Sequence, residues 1–185
     1  YTDLSYFTSN PALTRDAALL FNYITGSAKP ERIEKIAYSP DTMQPTLLAL
    51  IAEEVAHAKA GRPATIWAKL NSLVDPIIID ALYDASAAGV KVELIIRGIC
   101  SLVPGVKDMS ENIQVRSVIG RYLDHARILV FANDGNPDYY LSSADWMTRN
   151  LDRRVEVSVP IWDPLLQSDI ATYLDMQLQD TVKAR

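Results

Sequence analysis

The chain has 185 residues, of which 49% are hydrophobic and 22% charged, and its formal net charge is -5. This balance is typical of a folded globular domain and excludes wholesale disorder, which requires low hydrophobicity and a large net charge. The single cysteine, Cys100, excludes an internal disulfide and a cysteine-based zinc site. The sequence has no apolar run of the ~18 residues that a membrane span needs. It also opens without a basic-then-apolar leader, so we expect a cytoplasmic protein. Because the sequence starts without methionine, we expect it to be a piece of a longer chain.

Helices and strands alternate in the first half of the sequence. Pro11 suits a first helical turn, and the apolar pattern that follows predicts a helix over residues 11–24. The next predicted elements are a strand at 33–38, a helix at 41–59, a strand at 64–70, a helix at 76–88 and a strand at 90–97. Asp41 and Asp75 are the expected N-caps of the second and third helices.

Strands dominate the second half. Four short β-segments are predicted at 113–118, 127–131, 139–142 and 154–160, separated by turn signals such as residues 133–137. A helix over residues 163–179 follows them. The order β-α-β-α-β, then four strands and a helix, predicts an α/β fold with a mixed β-sheet flanked by α-helices.

Arg97 is the first candidate for a binding role. It ends the strongest predicted strand, and ligands of α/β proteins bind at strand ends. Its guanidinium offers a planar fork of donors that matches a phosphate group. Gly98, which follows, is expected to let a ligand approach the backbone. The alternative is an arginine at a strand exit that pairs with an acid or with solvent.

His125 is the candidate catalytic residue. Two positions later comes Arg127, and residues two apart on a strand point to the same side. An imidazole can act as nucleophile, acid or base near neutral pH. The alternative is a hydrogen-bonded turn residue. The other histidine, His57, lies in a polar run of a helix and is expected to be solvated.

Further polar residues near strand ends are candidates for contact with phosphate. Hydroxyl and backbone N–H groups after a strand can surround an oxyanion. The candidates are Lys69, Asn71, Arg127, Ser142, Ser143, Asp145, Arg149, Arg153 and Arg154. The alternative is a helix-capping turn followed by a charged loop with internal acid–arginine pairs.

The spacing of His125, Arg127, Ser143 and Asp145 resembles one half-site of the phospholipase D superfamily. Arg127 stands where that superfamily usually has lysine, and Asp145 stands where asparagine is common. Such sites use two histidine half-motifs, and this sequence contains one. The fold implied is a phospholipase D-like mixed β-sheet flanked by α-helices.

A second resemblance extends over the whole chain. Six blocks, at residues 1–4, 69–75, 96–100, 110–113, 143–147 and 149–157, together resemble the C-terminal part of type 1 bacterial polyphosphate kinase. This resemblance implies reversible transfer of the terminal phosphoryl group of ATP to polyphosphate through a phosphohistidine located upstream of this chain. It also implies that residues 1–30 are the tail of the preceding catalytic domain and that residues 31–185 form the last domain.

The same resemblance implies roles for individual residues. Tyr1 would contact the ATP base and Arg97 the ATP phosphates. His125 would contact ATP and act as an acid, and Asp3 would lie close to the site. Because polyphosphate is a dense polyanion, it would need a lined channel, for which the candidates are Lys69, Arg127, Arg149, Arg153 and Arg154. The implied partners are ATP, polyphosphate, the upstream domains and further copies of the full-length enzyme, with no nucleic acid, and Mg²⁺ would be held mainly by residues outside this chain.

Two other functions compete with a kinase fragment. One is a phospholipase D-class phosphodiesterase that uses His125 as its nucleophile. The other is a non-catalytic oligomerisation domain, with the long helix at 41–59 as its contact surface.

Overall fold

The computed structural model describes residues 2–26, 32–118 and 120–180. The helices in this part of the chain are α1 (Pro11–Ile24), α2 (Met43–Lys59), α3 (Pro76–Ala87), α4 (Thr148–Asp152) and α5 (Pro164–Leu178). The strands are β1 (Ala37–Tyr38), β2 (Thr65–Leu70), β3 (Lys91–Ile96), β4 (Ile113–Arg116), β5 (Ile128–Phe131), β6 (Asp138–Ser142) and β7 (Val157–Ile161).

The strands form one mixed sheet with the order β1-β7-β6-β5-β2-β3-β4. Strands β2, β3 and β4 are parallel, whereas β5, β6 and β7 form an antiparallel meander and β5 pairs antiparallel with the central strand β2. The C-terminal ends of β2, β3 and β6 and the start of β5 therefore share one edge. The predicted α/β fold with a mixed sheet is confirmed.

Apolar side chains cover the two faces of the sheet in separate clusters. The larger cluster lies under α2 and α3 and includes Met43, Leu47, Ile51, Ile78, Leu82, Leu94 and Leu129. The other cluster lies under α5 and includes Ile95, Ile128, Val130, Ile170 and Leu174. Successive strand residues point to opposite faces, which explains why neighbours such as Ile128 and Leu129 belong to different clusters.

Three helices begin with an N-cap residue whose side chain accepts backbone N–H groups. In each of them proline directly follows the cap residue, so the helix start can be recognised in the sequence. Asn10 accepts the N–H of Ala12 at 2.9 Å, and Asp75 accepts the N–H of Ile78 at 3.1 Å. Asp163 caps α5 in the same way. The expected capping role of Asp75 is confirmed.

The expected capping role of Asp41 is wrong. Thr42 occupies the N-cap position of α2 without a side-chain capping bond. The carboxylate of Asp41 instead accepts the hydroxyl hydrogen of Tyr38 at 3.0 Å. Asp41 therefore bonds to Tyr38 in β1 and does not cap α2.

The first strand is shorter than predicted, because a buried carboxylate takes its N–H groups. Asp16 on α1 accepts hydrogen bonds from the backbone N–H groups of Glu34, Lys35 and Ile36. Those residues cannot donate to a neighbouring strand, and only Ala37–Tyr38 pairs with β7. The strand predicted at 154–160 also begins later, at Val157, and the short helix α4 was not predicted.

His57 is not the solvated residue that its polar surroundings predict. Its side chain is only 13% exposed and lies 4.0 Å from the carboxylate of Glu54. Glu54 is itself buried and accepts the backbone N–H groups of Thr65 and Asn133. This part of α2 is thus tied to the edge of the sheet opposite the strand ends described above.

Across the described ranges, every helix is too short or too polar to cross a bilayer.

Candidate functional site

Four chain segments bring polar side chains together at one edge of the sheet. Asn71 follows β2, Arg97 follows β3, His125 precedes β5 and Asp145 follows β6. The parallel pairing of β2 with β3 and the antiparallel pairing of β2 with β5 place these strand ends side by side. The edge is therefore built from residues far apart in sequence.

Arg97 and His125, 28 positions apart, are in contact: Nη2 of Arg97 lies 3.0 Å from Nδ1 of His125. The Nε of the same guanidinium donates a short hydrogen bond to Oδ1 of Asn71. Asn71 is buried, and its Nδ2 has no hydrogen-bond partner within the described residues. Asn71 thus fixes the guanidinium plane and still carries an unused donor.

Arg127 approaches the other side of the imidazole. Its Nη2 lies 3.3 Å from Nε2 of His125, and its Nε and Nη2 donate to the two carboxylate oxygens of Asp145 at 3.0 and 3.3 Å. Asp145 also accepts the backbone N–H groups of Asn71 and Ser72 at 2.8 and 3.2 Å. The buried carboxylate therefore orients Arg127 and joins the ends of β2 and β6.

The pKa of His125 is lowered from its ordinary value. Burial is the largest cause, and the positive charges of Arg127 and Arg97 lower the pKa further, while the carboxylates of Asp3 and Asp145 oppose the shift. A group whose charged form is disfavoured in this way is neutral at pH 7. Both ring nitrogens of this neutral imidazole face guanidinium groups.

This lowered pKa predicts a loss of stability in acid. The unfolded chain, with an ordinary pKa of 6.5 for this group, binds a proton before the folded chain does. His125 therefore lowers the free energy of unfolding as pH falls through 6.5 toward the folded-state pKa. We expect urea unfolding at about pH 7.5 and about pH 5.5 to show a smaller acid-induced loss in His125→Asn than in the wild type. Equal losses would contradict the assigned shift.

Lys69 is buried rather than open to a ligand. Its side chain is 4% exposed, and Nζ donates to the backbone carbonyl of Ala126 at 2.9 Å and pairs with Asp124 at 3.1 Å. Burial lowers the pKa of Lys69, and the charge of Asp124 opposes that shift. The sequence-based expectation that its ammonium group reaches phosphate is at odds with this location.

The two serines hold the connection between β6 and β7. Ser143 Oγ donates to Glu156 and accepts the N–H of Val157, and Ser142 Oγ donates to the carbonyl of Val157 at 3.2 Å. The N–H of Ala144 in turn donates to Ser142 Oγ. These hydroxyls hold the β6–β7 connection and do not cap α4, whose N-cap is Met147.

The remaining predicted residues lie around the Arg97–His125 contact or apart from it. Asp3 is exposed and acts electrostatically on His125. Exposed arginines on and after α4 do not take part in the contacts described above; they are Arg149, Arg153 and Arg154. Tyr1 lies outside the described residues.

A cleft of about 330 Å³ opens beside Arg97. Its lining comes mainly from the segment before His125 and comprises Val118, Gly120, Arg121, Tyr122, Leu123 and Asp124. The guanidinium of Arg121 lies 5.8 Å from the ring centroid of Tyr122, within the range of a cation–π contact. The cleft therefore adds an exposed cation, Arg121, next to the strand ends.

Gly98 is required for close packing of the backbone. A Cβ atom at this position would lie 2.7 Å from the backbone oxygen of Asn71. The N–H of Gly98 donates to that same oxygen at 2.8 Å. The glycine thus lets the segments that carry Asn71 and Arg97 come close together, and a ligand at its backbone stays a prediction.

Three residues near His125 were not predicted as part of the site: Asp124, Tyr173 and Gln177. Asp124 accepts hydrogen bonds from the hydroxyl of Tyr173 and from Nε2 of Gln177. Tyr173 and Gln177 are four positions apart on α5, so they lie on the same helix face. That spacing is the only signal in the sequence, and it does not reveal the partner.

Comparison with known proteins places this arrangement in a family. A family model described as polyphosphate kinase C-terminal domain 2 matches residues 36–185. The chain belongs to the polyphosphate kinase family. A polyphosphate kinase of Neisseria gonorrhoeae is 50% identical over 185 residues, which are 100% of this chain and 27% of that protein. The chain thus spans about a quarter of the length of such relatives.

Solved structures agree with the sequence comparison. The crystal structure of polyphosphate kinase from Porphyromonas gingivalis matches with a TM-score of 0.93 and 39% identity, over 96% of this chain and 27% of that one. A phospholipase D family member, Nuc from Salmonella typhimurium, matches with a TM-score of 0.59 and 17% identity, over 82% of this chain and 95% of that one. The phospholipase D-like fold is confirmed, and so is the resemblance to polyphosphate kinase.

The Mg²⁺ that the resemblance implies does not fit the residues at this edge. Among the residues that the structure describes, no three His, Cys, Asp or Glu side chains form a group able to hold a metal ion. The carboxylates of Asp124 and Asp145 are already bonded to Lys69 and Arg127, and Asp3 is exposed.

Proposed function

We propose that this chain is the nucleotide- and phosphate-contacting C-terminal part of an enzyme that reversibly transfers the terminal phosphoryl group of ATP to polyphosphate. The contact between Arg97 and His125 at the shared strand edge carries the proposal. Residues 31–185 would form the last domain and residues 1–30 the tail of the preceding one. The phosphohistidine would lie upstream, and homo-oligomerisation of the full-length enzyme stays a prediction.

The cationic groups suit a polyanionic substrate. Phosphoryl transfer spreads negative charge over the equatorial oxygens and the leaving oxygen, so a catalyst needs fixed donors directed at them. Arg97 and Arg127 present two guanidinium groups around one imidazole. Asn71 Nδ2 adds a buried, unused donor beside them. Together these groups can hold the phosphates of ATP.

His125 would change its protonation state when the substrate binds. In the described structure, burial and two neighbouring guanidinium groups keep its pKa low. A bound triphosphate brings several negative charges close to the ring, and opposite charge favours the imidazolium form. The imidazolium can then donate a proton or a hydrogen bond to the leaving oxygen of ADP. The resting site therefore becomes an acid only when it is occupied.

Binding of inorganic tripolyphosphate tests the proposal directly. Isothermal titration calorimetry should give a weaker Kd for Arg97→Ala than for the wild type, by about 10-fold or more, because one charge-assisted hydrogen bond contributes about 1.5–3 kcal/mol. Arg62→Ala is the matched control. Arg62 pairs with Asp134 at 2.8 Å at the opposite end of the strands, so its loss should leave the Kd unchanged.

Other outcomes of the same series point elsewhere. Equal weakening in both variants would show binding by diffuse charge only. Hydrolysis of a model phosphodiester that disappears in His125→Ala would favour a phospholipase D-class phosphodiesterase. Failure to bind tripolyphosphate or ATP, together with self-association through α2, would favour a non-catalytic oligomerisation domain.

A further inference from the structure

A polar cluster of one buried and three partly buried side chains lies beneath the segment that carries His125. We define the Lys69 cluster as Lys69, Asp124, Tyr173 and Gln177. Asp124 Oδ1 pairs with Lys69 Nζ at 3.1 Å, and Asp124 Oδ2 accepts from Gln177 Nε2 at 2.8 Å and from the Tyr173 hydroxyl. Burial raises the pKa of Asp124, but these three partners outweigh it and lower the pKa. The cluster is therefore a charged pair braced by two side chains of α5.

The cluster holds the backbone on both sides of His125. Asp124 and Ala126 directly precede and follow His125. Lys69 Nζ pairs with the carboxylate of Asp124 and donates to the carbonyl of Ala126. The N–H of Ala126 also donates to Asp124, at 3.3 Å. The N–H of His125 itself donates to the carbonyl of Thr2 at 2.8 Å. Few positions remain for the Cα of His125.

Burying an ammonium group is costly, so its location calls for a compensating role. An ionic group taken out of water loses hydration that a single ion pair rarely restores. Lys69 lies near the C-terminal end of β2, an interior strand of the sheet, and both bonds of its ammonium run to the segment that leads into β5. An apolar side chain at this position would fill the space but could not hold that segment.

We infer that Lys69 and Asp124, braced by Tyr173 and Gln177, are positioning residues that set the imidazole of His125 between the guanidinium groups of Arg97 and Arg127. The effect of these residues on catalysis rests on the proposed function, whereas their effect on the position of His125 does not. It assigns Lys69 to the support of the site rather than to contact with polyphosphate. Helix α5, remote from the strand ends in sequence, thereby becomes part of the support.

Tyr173→Phe tests the inference with little change in shape, and Tyr139→Phe is its matched control. Both tyrosines are partly buried against the same apolar cluster, but only Tyr173 bonds Asp124. The charged groups that face His125, namely Arg97, Arg127, Asp3 and Asp145, remain in both variants. We expect the pKa of His125, followed by NMR, to move upward in Tyr173→Phe as the ring gains solvent, and to stay at the wild-type value in Tyr139→Phe.

Kinetics of the full-length enzyme provide the second readout. A small displacement of a catalytic group costs up to about 100-fold in rate, so the loss of one brace should lower kcat about 10-fold in Tyr173→Phe with KM for ATP unchanged. Gln177→Met removes the other brace and should act in the same direction. Thermal unfolding of each variant separates this effect from loss of the fold.

The outcomes distinguish the inference from the proposed function. A His125 pKa and kcat that are equal in Tyr173→Phe and Tyr139→Phe would overturn the positioning role. The NMR readout does not depend on any reaction, so it decides the positioning role even if the kinase proposal fails. Wild-type polyphosphate synthesis by His125→Ala would remove the kinase role of this histidine and leave the NMR result to stand alone.

Discussion

Replacing His125 with alanine in the full-length enzyme is expected to lower kcat for polyphosphate synthesis by about 10²–10⁴-fold, the usual contribution of a positioned acid or base. The imidazole touches two guanidinium groups, and its backbone is held on both sides. Its removal should affect transfer more than binding, because Arg97 and Arg127 remain. Initial rates of polyphosphate formation at saturating ATP measure the effect, and KM for ATP should change much less.

His57→Ala is the control for this experiment. It removes the other of the two histidines, which lies next to Glu54 on α2. The rate should stay at the wild-type level in this variant once the folded fraction is matched. A wild-type rate in His125→Ala as well would rule out the acid role and restrict this histidine to structure.

Asp145→Ala is expected to lower the free energy of unfolding by about 3–5 kcal/mol, the usual cost of removing one partner from a buried ion pair. The carboxylate is 9% exposed and the Arg127 side chain 12% exposed, so water can replace little of what is lost. Two backbone N–H groups, those of Asn71 and Ser72, would lose their acceptor as well. Urea unfolding, analysed with a common slope for all variants, measures the change.

Asp145→Asn provides the matched comparison. The amide oxygen can still accept the two backbone N–H groups, but the negative charge opposite Arg127 is gone. We expect a smaller loss of stability than in Asp145→Ala, and the difference between the two variants isolates the acceptor role from the charge. A loss below about 1 kcal/mol in Asp145→Ala would place this pair with exposed salt bridges instead.

The helices were readily predicted from sequence because their starts carry local signals. Asn10, Asp75 and Asp163 cap helices that open with proline, and each of these helices has an apolar face. The errors arise where a distant residue decides. Asp16 takes the N–H groups of residues 34–36 in the first predicted strand, and His57 lies beside the buried Glu54 with little exposure to solvent. Helix α4 has five residues and no capping side chain, so it left no pattern to read.

The candidate site was likewise predicted only in part. Strand ends predict where Arg97 and His125 lie, and the structure brings them into contact. Sequence does not predict which polar residue supports another, because that depends on the register between β2 and β5. Lys69 thus resembled a phosphate ligand, although register directs its ammonium toward Ala126. The role of Asp124 was not predicted because its partners come from β2 and from the last helix, both far from it in sequence.

The placement of β2 between a parallel and an antiparallel neighbour has a consequence for how the chain acquires its site. Asn71 and Asp145 are 74 positions apart, yet one bond joins them. Contacts between such distant residues form slowly, since a long loop must close before they can act. Phosphate affinity should therefore emerge only when the meander closes onto the central strand. In a refolding experiment, the binding signal should lag behind the helical signal.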